Sequence, residues 1–353
     1  MNEYNVIGVM SGTSLDGIDI ALCKFVKTEK KWRYHIEKAF TYKYSEEWIS
    51  KLSNLDKENA FNLINTHIEY GHYLGKLIKT FVDDNFLKAD FIASHGHTIF
   101  HQTEKNITFQ IGDGASIAAE TKQIVICDFR SLDVAFGGQG APLVPIGDKF
   151  LFDNYDFCLN LGGFSNISFA KNEERIAFDI CPVNIILNYL ANNLNKPYDY
   201  QGKYAEKGII IESLLSELNE LNYYKKLSPK SLSKEWLFSE FIPVIEKYSE
   251  NIEDKLRTVT EHIAIQINLS TNFTKNKKML ITGGGVYNEF LIRRLSSIIS
   301  HQIIIPDSKT IEFKEALVFA FLGVLRMREE INCLKTVTGA KNDSVGGAIY
   351  YGL

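Results

Sequence analysis

Twice in this chain a short apolar run meets a turn of small residues and reverses into a second apolar run. Residues 5–22 read "NVIGVMSGTSLDGIDIAL" and residues 156–169 read "DFCLNLGGFSNISF". Each is a β-hairpin signature: Val, Ile, Leu and Phe in short runs about a Gly-bearing turn. Between the two lies "RSLDVAFGGQGAPLVP", residues 130–145, the most glycine-rich linker in the sequence. It reads as a crossing between domains. Two related halves, each offering a hairpin, are therefore expected. The length of 353 residues suits two domains, and 45% apolar residues supply the cores.

The rest of the pattern alternates strands and helices, which argues for α/β layers. "KWRYHIEKAFTYKYS" alternates as a third strand, and residues 45–87 carry helical spacing. "ADFIASHGHTIFHQ" is expected to be a strand entering a His-rich loop. Asp113 is placed to cap a helix over "DGASIAAET". "RIAFDICPVNIILNYLANNL" reads as a strand ending at Asp179, then a helix opened by Pro182. "KKMLITGGGVYNEFLIRRLSSII" reads as a strand, a triple glycine and an amphipathic helix, and "SVGGAIYYG" as a turn-rich tail.

A formal charge of −4 gives no reason to expect nucleic acid or an anionic membrane as a partner. Five scattered cysteines without paired spacing read as buried thiols of a reducing compartment. No apolar stretch is long enough to span a bilayer. The expectation is a soluble, cytoplasmic protein.

The first turn holds Ser11, Gly12, Thr13, Ser14, Leu15, Asp16, Gly17, Ile18 and Asp19. Backbone N–H groups at such a turn can converge on an anion, and the hydroxyls add donors. Asp16 and Asp19 would repel a bare phosphate, so a cation such as Mg²⁺, held through its waters, would have to lie between. A tight hairpin without a ligand is the plain alternative. It is not a Walker-type loop, because no lysine follows and the next element is a strand.

Other candidates have equally plain alternatives. Gly283, Gly284 and Gly285 leave bare backbone beside a helix N-terminus, with Asn288 offering an amide edge; tight packing would use the same glycines. Asp179 suits a general base or a helix cap. Arg130 suits a carboxylate ligand or an inter-domain ion pair. His95, His97 and His101 lack a nearby carboxylate or cysteine at ligand spacing. His95 and His97 are expected on one face of the strand, in hydrogen-bonding or buried roles rather than on a metal.

Taken in order, these segments resemble the anhydro-N-acetylmuramic acid kinase family of the sugar kinase, hsp70 and actin superfamily. The likeness runs through "GVMSGTSLDGIDIAL", "SHGHTIFHQ", "FQIGDGASIAAET", "DFRSLDVAFGGQGAPLVP", "LNLGGFSNIS", "NKPYDYQGKYAEKG", "PKSLSKEW", "TGGGVYNEFLIRRL" and "KEALVFAFLG" to the terminal segment. The resemblance implies two actin-like, ribonuclease H-like lobes with an ATP cleft between them. Residues 1–128 plus 342–353 would form the N-terminal lobe and 129–341 the C-terminal lobe. It implies ATP and Mg²⁺ as cofactors, an amino-sugar substrate, 1,6-anhydro-N-acetylmuramic acid, and a homodimer.

The same resemblance implies roles. Asp179 would activate the water that opens the anhydro ring, while O6 takes the γ-phosphoryl group. Ser11 to Asp19 would bind the ATP phosphates, with Asp16 steadying Mg²⁺. Gly162, Gly163 and Asn166 would close on the same phosphates, and Gly283 to Gly285 with Asn288 would sit by the adenosine. His95, His97, Arg130, Asn184 and Glu315 would serve the sugar, Arg130 by meeting its lactyl carboxylate. The sequence departs from the family pattern at Cys181 and Val183, where glycines are usual, and at His97, where glutamine is usual. A kinase for a different anhydro- or amino sugar, or an ATP-binding module without catalysis, would share most of these features.

Overall fold

The computed structural model describes residues 2–12, 15–29, 31–228 and 230–352. Two compact units divide it: Met1–Leu151 with Phe313–Leu353, and Phe152–Glu312. No helix among the described residues is long and apolar enough to cross a membrane.

In the first unit, β1 (Glu3–Ser11), β2 (Ile18–Lys27) and β3 (Trp32–Tyr42) form an antiparallel meander. β4 (Phe91–Gln102) returns parallel to β1, β5 (Ile107–Ile111) pairs antiparallel to β4, and β6 (Ile124–Cys127) runs parallel to β4. The terminal segment, expected to be turns, is the strand Ala348–Tyr351, antiparallel to β6. The sheet buries Ile7, Val9, Ile18 and Ile20 against Tyr70, Leu74, Ile78 and Phe81 of the helix Ala60–Asp84. Those four recur at helical spacing, and each large apolar side chain so buried contributes about 1.5–3 kcal/mol.

The second unit repeats the plan. β7 (Phe157–Leu161), β8 (Phe164–Lys171) and β9 (Glu174–Pro182) form the meander; β10 (Lys278–Thr282) lies parallel to β7 and β11 (Gln302–Ile304) parallel to β10. The strand order β9-β8-β7-β10-β11 matches β3-β2-β1-β4-β6 of the first sheet. The chain is thus α/β, built from two related actin-like halves. The long helices Asn184–Asn192 and Ile252–Thr271 cover the second core with Ile186, Leu190, Val259 and Ile263.

The division falls elsewhere than the glycine content suggests. The segment 130–145 lies wholly within the first unit and carries the helix Ser131–Ala135 and the start of Pro145–Phe150. Asp133, 1% exposed, accepts from the N–H of Gly140 at 2.7 Å and from Thr338 Oγ1 at 2.7 Å, which ties the segment to the C-terminal part of the same unit. The change of unit comes at Phe152 and again within the helix Ser308–Met327, which breaks at Phe313 (φ −111°, ψ 16°).

Two strand ends also differ from expectation. The histidines sit within β4, which continues to Gln102 rather than giving way to a loop. β9 runs past Asp179 to Pro182, because β8 keeps a partner for it as far as the Phe164–Pro182 pair; an irregularity between Ser165 and Asn166 absorbs the slip. The helix after it opens at Asn184, not at Pro182.

Candidate active site

In the second unit the pairing of strands lines up polar side chains. Thr282 is the register partner of Asn160, Asn160 of Asn166, and Asn166 of Asp179. Direct partners on neighbouring strands project to one face, so β10, β7, β8 and β9 present one polar row there. Thr282 Oγ1 is buried without a partner among the described residues.

Asp179 ends this row. Its Oδ2 accepts the N–H of Leu232 at 2.9 Å, its N–H donates to the Lys230 carbonyl at 3.1 Å, and its carbonyl accepts from Tyr223 Oη at 2.6 Å. The segment around 230–232 therefore covers the carboxyl on one side. Burial raises its pKa from the ordinary 3.8 to about 6, and the Leu232 amide partly opposes the rise. A carboxylate tuned toward neutrality is suited to taking a proton from water. Mid-strand, Asp179 is not a helix cap; the helix Asn184–Asn192 is instead served by carbonyls, with Asn184 N–H reaching Gly162 at 3.2 Å and Ile185 N–H reaching Gly163 at 3.3 Å.

The two positions that depart from the family pattern fit this backbone. Val183 has φ −127° and so needs no left-handed backbone, while its ψ of −96° lies outside the common regions; its side chain is fully buried. Cys181 is buried against Ser165, Sγ to Oγ 3.3 Å, and burial pushes its thiol up to about 12, so it is inert.

Beyond the row, Gly283 begins the expected glycine turn. Its φ of +86° and the closeness of Asn160 Oδ1, 2.5 Å from where a Cβ would stand, admit only glycine. The turn borders a pocket of about 670 Å³ lined by Gly284, Tyr287 and Asn288 together with Asn184, Tyr198, Tyr200, Gln201 and Glu289. Asn288 commits the oxygen of its amide, since its Oδ1 accepts from Leu291 N–H at 3.0 Å and caps the helix Glu289–Ile298. Asn184, assigned to the sugar by resemblance, lines this pocket, and its Nδ2 donates to the Leu161 carbonyl at 3.1 Å. Half-exposed Tyr198, Tyr200 and Tyr287 give it flat apolar walls. Aromatic walls beside a bare glycine backbone suit the base and ribose of a nucleotide.

In the first unit the turn after β1 lies between Ser11 and Ile18. Thr13 and Ser14 lie outside the described residues. The Leu15 N–H bonds the Gly12 carbonyl at 3.3 Å, and Ile18 is fully buried. Ser11, expected as a phosphate donor, is 1% exposed; its hydroxyl meets Tyr44 Oη at 2.5 Å, His97 Nδ1 at 2.9 Å and Tyr70 Oη at 3.0 Å. Asp16 is exposed, and half-buried Asp19 accepts from Thr41 Oγ1 at 2.6 Å. Glu315 is exposed on its helix, although surrounding protein still raises its carboxyl by desolvation; Arg130 opposes the rise, and Asp19 and Asp16 add to it. Oxygen donors of this kind are what Mg²⁺ takes, usually through its own waters. No cluster of three or more metal-ligating side chains forms among the described residues.

His95 and His97 do not share a face. Gly96, at φ +73°, and the slip in register between Val9 and Ser11 turn them apart. The His95 ring packs on Phe319 at 4.5 Å, whereas the His97 ring faces Tyr70. Burial keeps both neutral, His97 at about 4. Arg130, its own pKa lowered by burial to about 10, stays charged at neutral pH.

A family model described as anhydro-N-acetylmuramic acid kinase matches residues 4–352. The chain belongs to the anhydro-N-acetylmuramic acid kinase family. A relative so named from Francisella tularensis subsp. novicida is 35% identical over 380 aligned residues, spanning 99% of this chain and all of that one. Another from Sulfurovum sp. is 31% identical over 366, again 99% and 100%. Among solved structures, an activator of 2-hydroxyisocaproyl-CoA dehydratase from Clostridium difficile with bound ADPNP aligns over 96% of this chain and 99% of its own, at 13% identity and TM-score 0.44. A ROK family glucokinase from Streptomyces griseus, in complex with glucose and AMPPNP, aligns over 90% and 98%, at 10% identity and TM-score 0.38.

Within this family frame, two stretches carry site residues that residue-by-residue reading passed over. Tyr198, Tyr200 and Gln201 come from "NKPYDYQGKYAEKG", and the Leu232 amide from "PKSLSKEW". Both stretches carry the resemblance, but neither has a local spacing that announces a pocket wall or a backbone donor.

Proposed function

We propose that this chain opens the 1,6-anhydro ring of anhydro-N-acetylmuramic acid and phosphorylates O6 at the expense of ATP, giving N-acetylmuramic acid 6-phosphate. Asp179 takes a proton from water as the water oxygen bonds to the anomeric carbon. The C1–O6 bond breaks, and O6 accepts the γ-phosphoryl group, leaving ADP. The pocket beside Gly283–Gly285 holds adenosine between its tyrosines. Gly162, Gly163 and Asn166 meet the phosphates through backbone and amide donors, the role that the family resemblance also implies for Gly12 to Asp19. Mg²⁺, when bound, neutralises phosphate charge; Asp16, with Asp19, would hold it through waters. In the first unit, Arg130 meets the lactyl carboxylate and Glu315 hydrogen-bonds the sugar. The chain acts as a soluble, cytoplasmic homodimer on its small-molecule substrate.

One observation carries this reading: a half-buried carboxyl with its pKa raised to about 6 lies one strand from Asn166, in the polar row that reaches the glycine turn. A protein that only bound ATP would have no use for a carboxyl so tuned. The test is mass spectrometry of the product formed from ATP and the anhydro-sugar in ¹⁸O-water. Label on the anomeric oxygen with phosphate on O6 is expected. Release of labelled inorganic phosphate with unchanged sugar would refute it.

A further inference from the structure

Arg130 is held before any ligand arrives. Its Nε donates to His95 Nε2 at 3.0 Å, and its Nη1 donates to the Gly140 carbonyl at 2.6 Å. The guanidinium carbon stands 6.0 Å from the Phe319 ring centre. Both anchors are themselves fixed. His95 gives its Nδ1 proton to the Gly96 carbonyl at 2.9 Å, which leaves Nε2 as an acceptor. Gly140 has φ +62°, and its N–H donates to Asp133 Oδ2 at 2.7 Å. The other oxygen of Asp133 accepts from Thr338 Oγ1 at 2.7 Å and from Cys333 Sγ at 3.1 Å. A buried carboxylate thus fixes a backbone amide, the same residue's carbonyl fixes one arm of a guanidinium, and a tautomer-locked imidazole fixes its Nε.

The donors of a guanidinium form a rigid fork that can grip a carboxylate side-on, through Nε and Nη2, or end-on, through Nη1 and Nη2. His95 occupies the side-on edge. The end-on edge keeps one hydrogen of Nη1 and both of Nη2.

We propose that Asp133 and His95 are positioning residues that lock Arg130 so that it presents only its end-on edge, and that they thereby select sugars bearing a carboxylate. This rests on the role given to Arg130 above. Neither side chain needs to touch the sugar: the selection is made by aiming a group that does.

Steady-state kinetics on two anhydro-sugars test this: one with the lactyl ether, and the otherwise matching 1,6-anhydro-N-acetylglucosamine without it, read as turnover or as inhibition. Asp133→Asn and His95→Asn should each raise KM for the lactyl-bearing sugar about tenfold, the size of one oriented hydrogen bond. For Asp133→Asn, kcat should fall no more than about threefold, and the lactyl-free sugar should bind as before. His95→Gln, which restores an acceptor near the Nε2 position, should recover most of the loss. In an Arg130→Ala background neither change should matter further. Equal losses on both sugars, or additive losses in that background, would overturn the proposal. Should Asp133→Asn not fold, Thr338→Val loosens the same carboxylate and must give the same selectivity. If the unaltered protein phosphorylates no lactyl-bearing sugar, the assigned reaction fails; if it does so and the variants show no selectivity, only the positioning role fails.

Discussion

Replacing Asp179 by Asn should stop turnover and make the protein more stable. The carboxyl is moved from 3.8 to about 6 chiefly by burial, so the fold favours its protonated form. Such a group supports folding most at low pH, and its support is lost as pH rises from about 4 through 6. At pH 8 the ionised form costs about 3 kcal/mol relative to the unfolded chain, and at pH 5 about half that. Asparagine has nearly the shape of the protonated acid, keeps an acceptor for the Leu232 amide and never ionises. The variant should therefore gain up to those amounts, roughly 4 °C in the melting transition at pH 8 and about half that at pH 5. Differential scanning calorimetry at the two pH values measures both, alongside ADP release with the anhydro-sugar and binding of a nucleotide analogue. Turnover should vanish while nucleotide binding persists. A variant that is less stable than the parent at pH 8, or whose gain does not depend on pH, would refute the idea that desolvation of Asp179 sets its pKa.

Three further outcomes follow from the same geometry. The acid limb of kcat/KM should rise with an apparent pKa of about 6, and Leu232→Pro, which removes the amide donor to Oδ2, should move that limb upward by roughly one pH unit, as a pH–rate profile will show. Gly283→Ala would force a Cβ within 2.5 Å of Asn160 Oδ1 at φ +86°, so it should cost about 1–3 kcal/mol in urea unfolding and abolish nucleotide binding measured by calorimetry. Tyr198→Ala strips one wall of the glycine-turn pocket and should raise KM for ATP roughly fivefold, a loss of about 1 kcal/mol, with KM for the sugar unchanged.

The duplicated plan was legible because each hairpin carries its own signal: alternating apolar runs about small residues at 5–22 and 156–169. The helices with strong apolar spacing and side-chain caps, such as Asp113 before Gly114–Thr121, were legible for the same local reason. What escaped depends on partners distant in sequence. Glycines at 137–140 look like a linker until Asp133 and Thr338 are seen to pin them. Asp179 looks like a strand end until β8 is found to extend the pairing to Pro182. Ser11 looks like a ligand donor until Tyr44 and Tyr70 close over it. Tuning of the candidate base was invisible as well, since it comes chiefly from burial under a segment some fifty residues further on, whose Leu232 N–H partly opposes it, and no local side-chain pattern encodes either.

The way the chain is divided also sets an order of assembly at the ribosome. Phe152–Glu312 is one uninterrupted stretch, whereas its companion needs Phe313–Leu353 to finish. Until the C-terminus emerges, the edge of β6 has no Ala348–Tyr351 beside it, and the backbone of Gly8 lacks the helix that packs on it at Ala316. The portion made first therefore matures last, and truncation of even the final few residues should strand nascent molecules with an open sheet margin while the middle portion is already native.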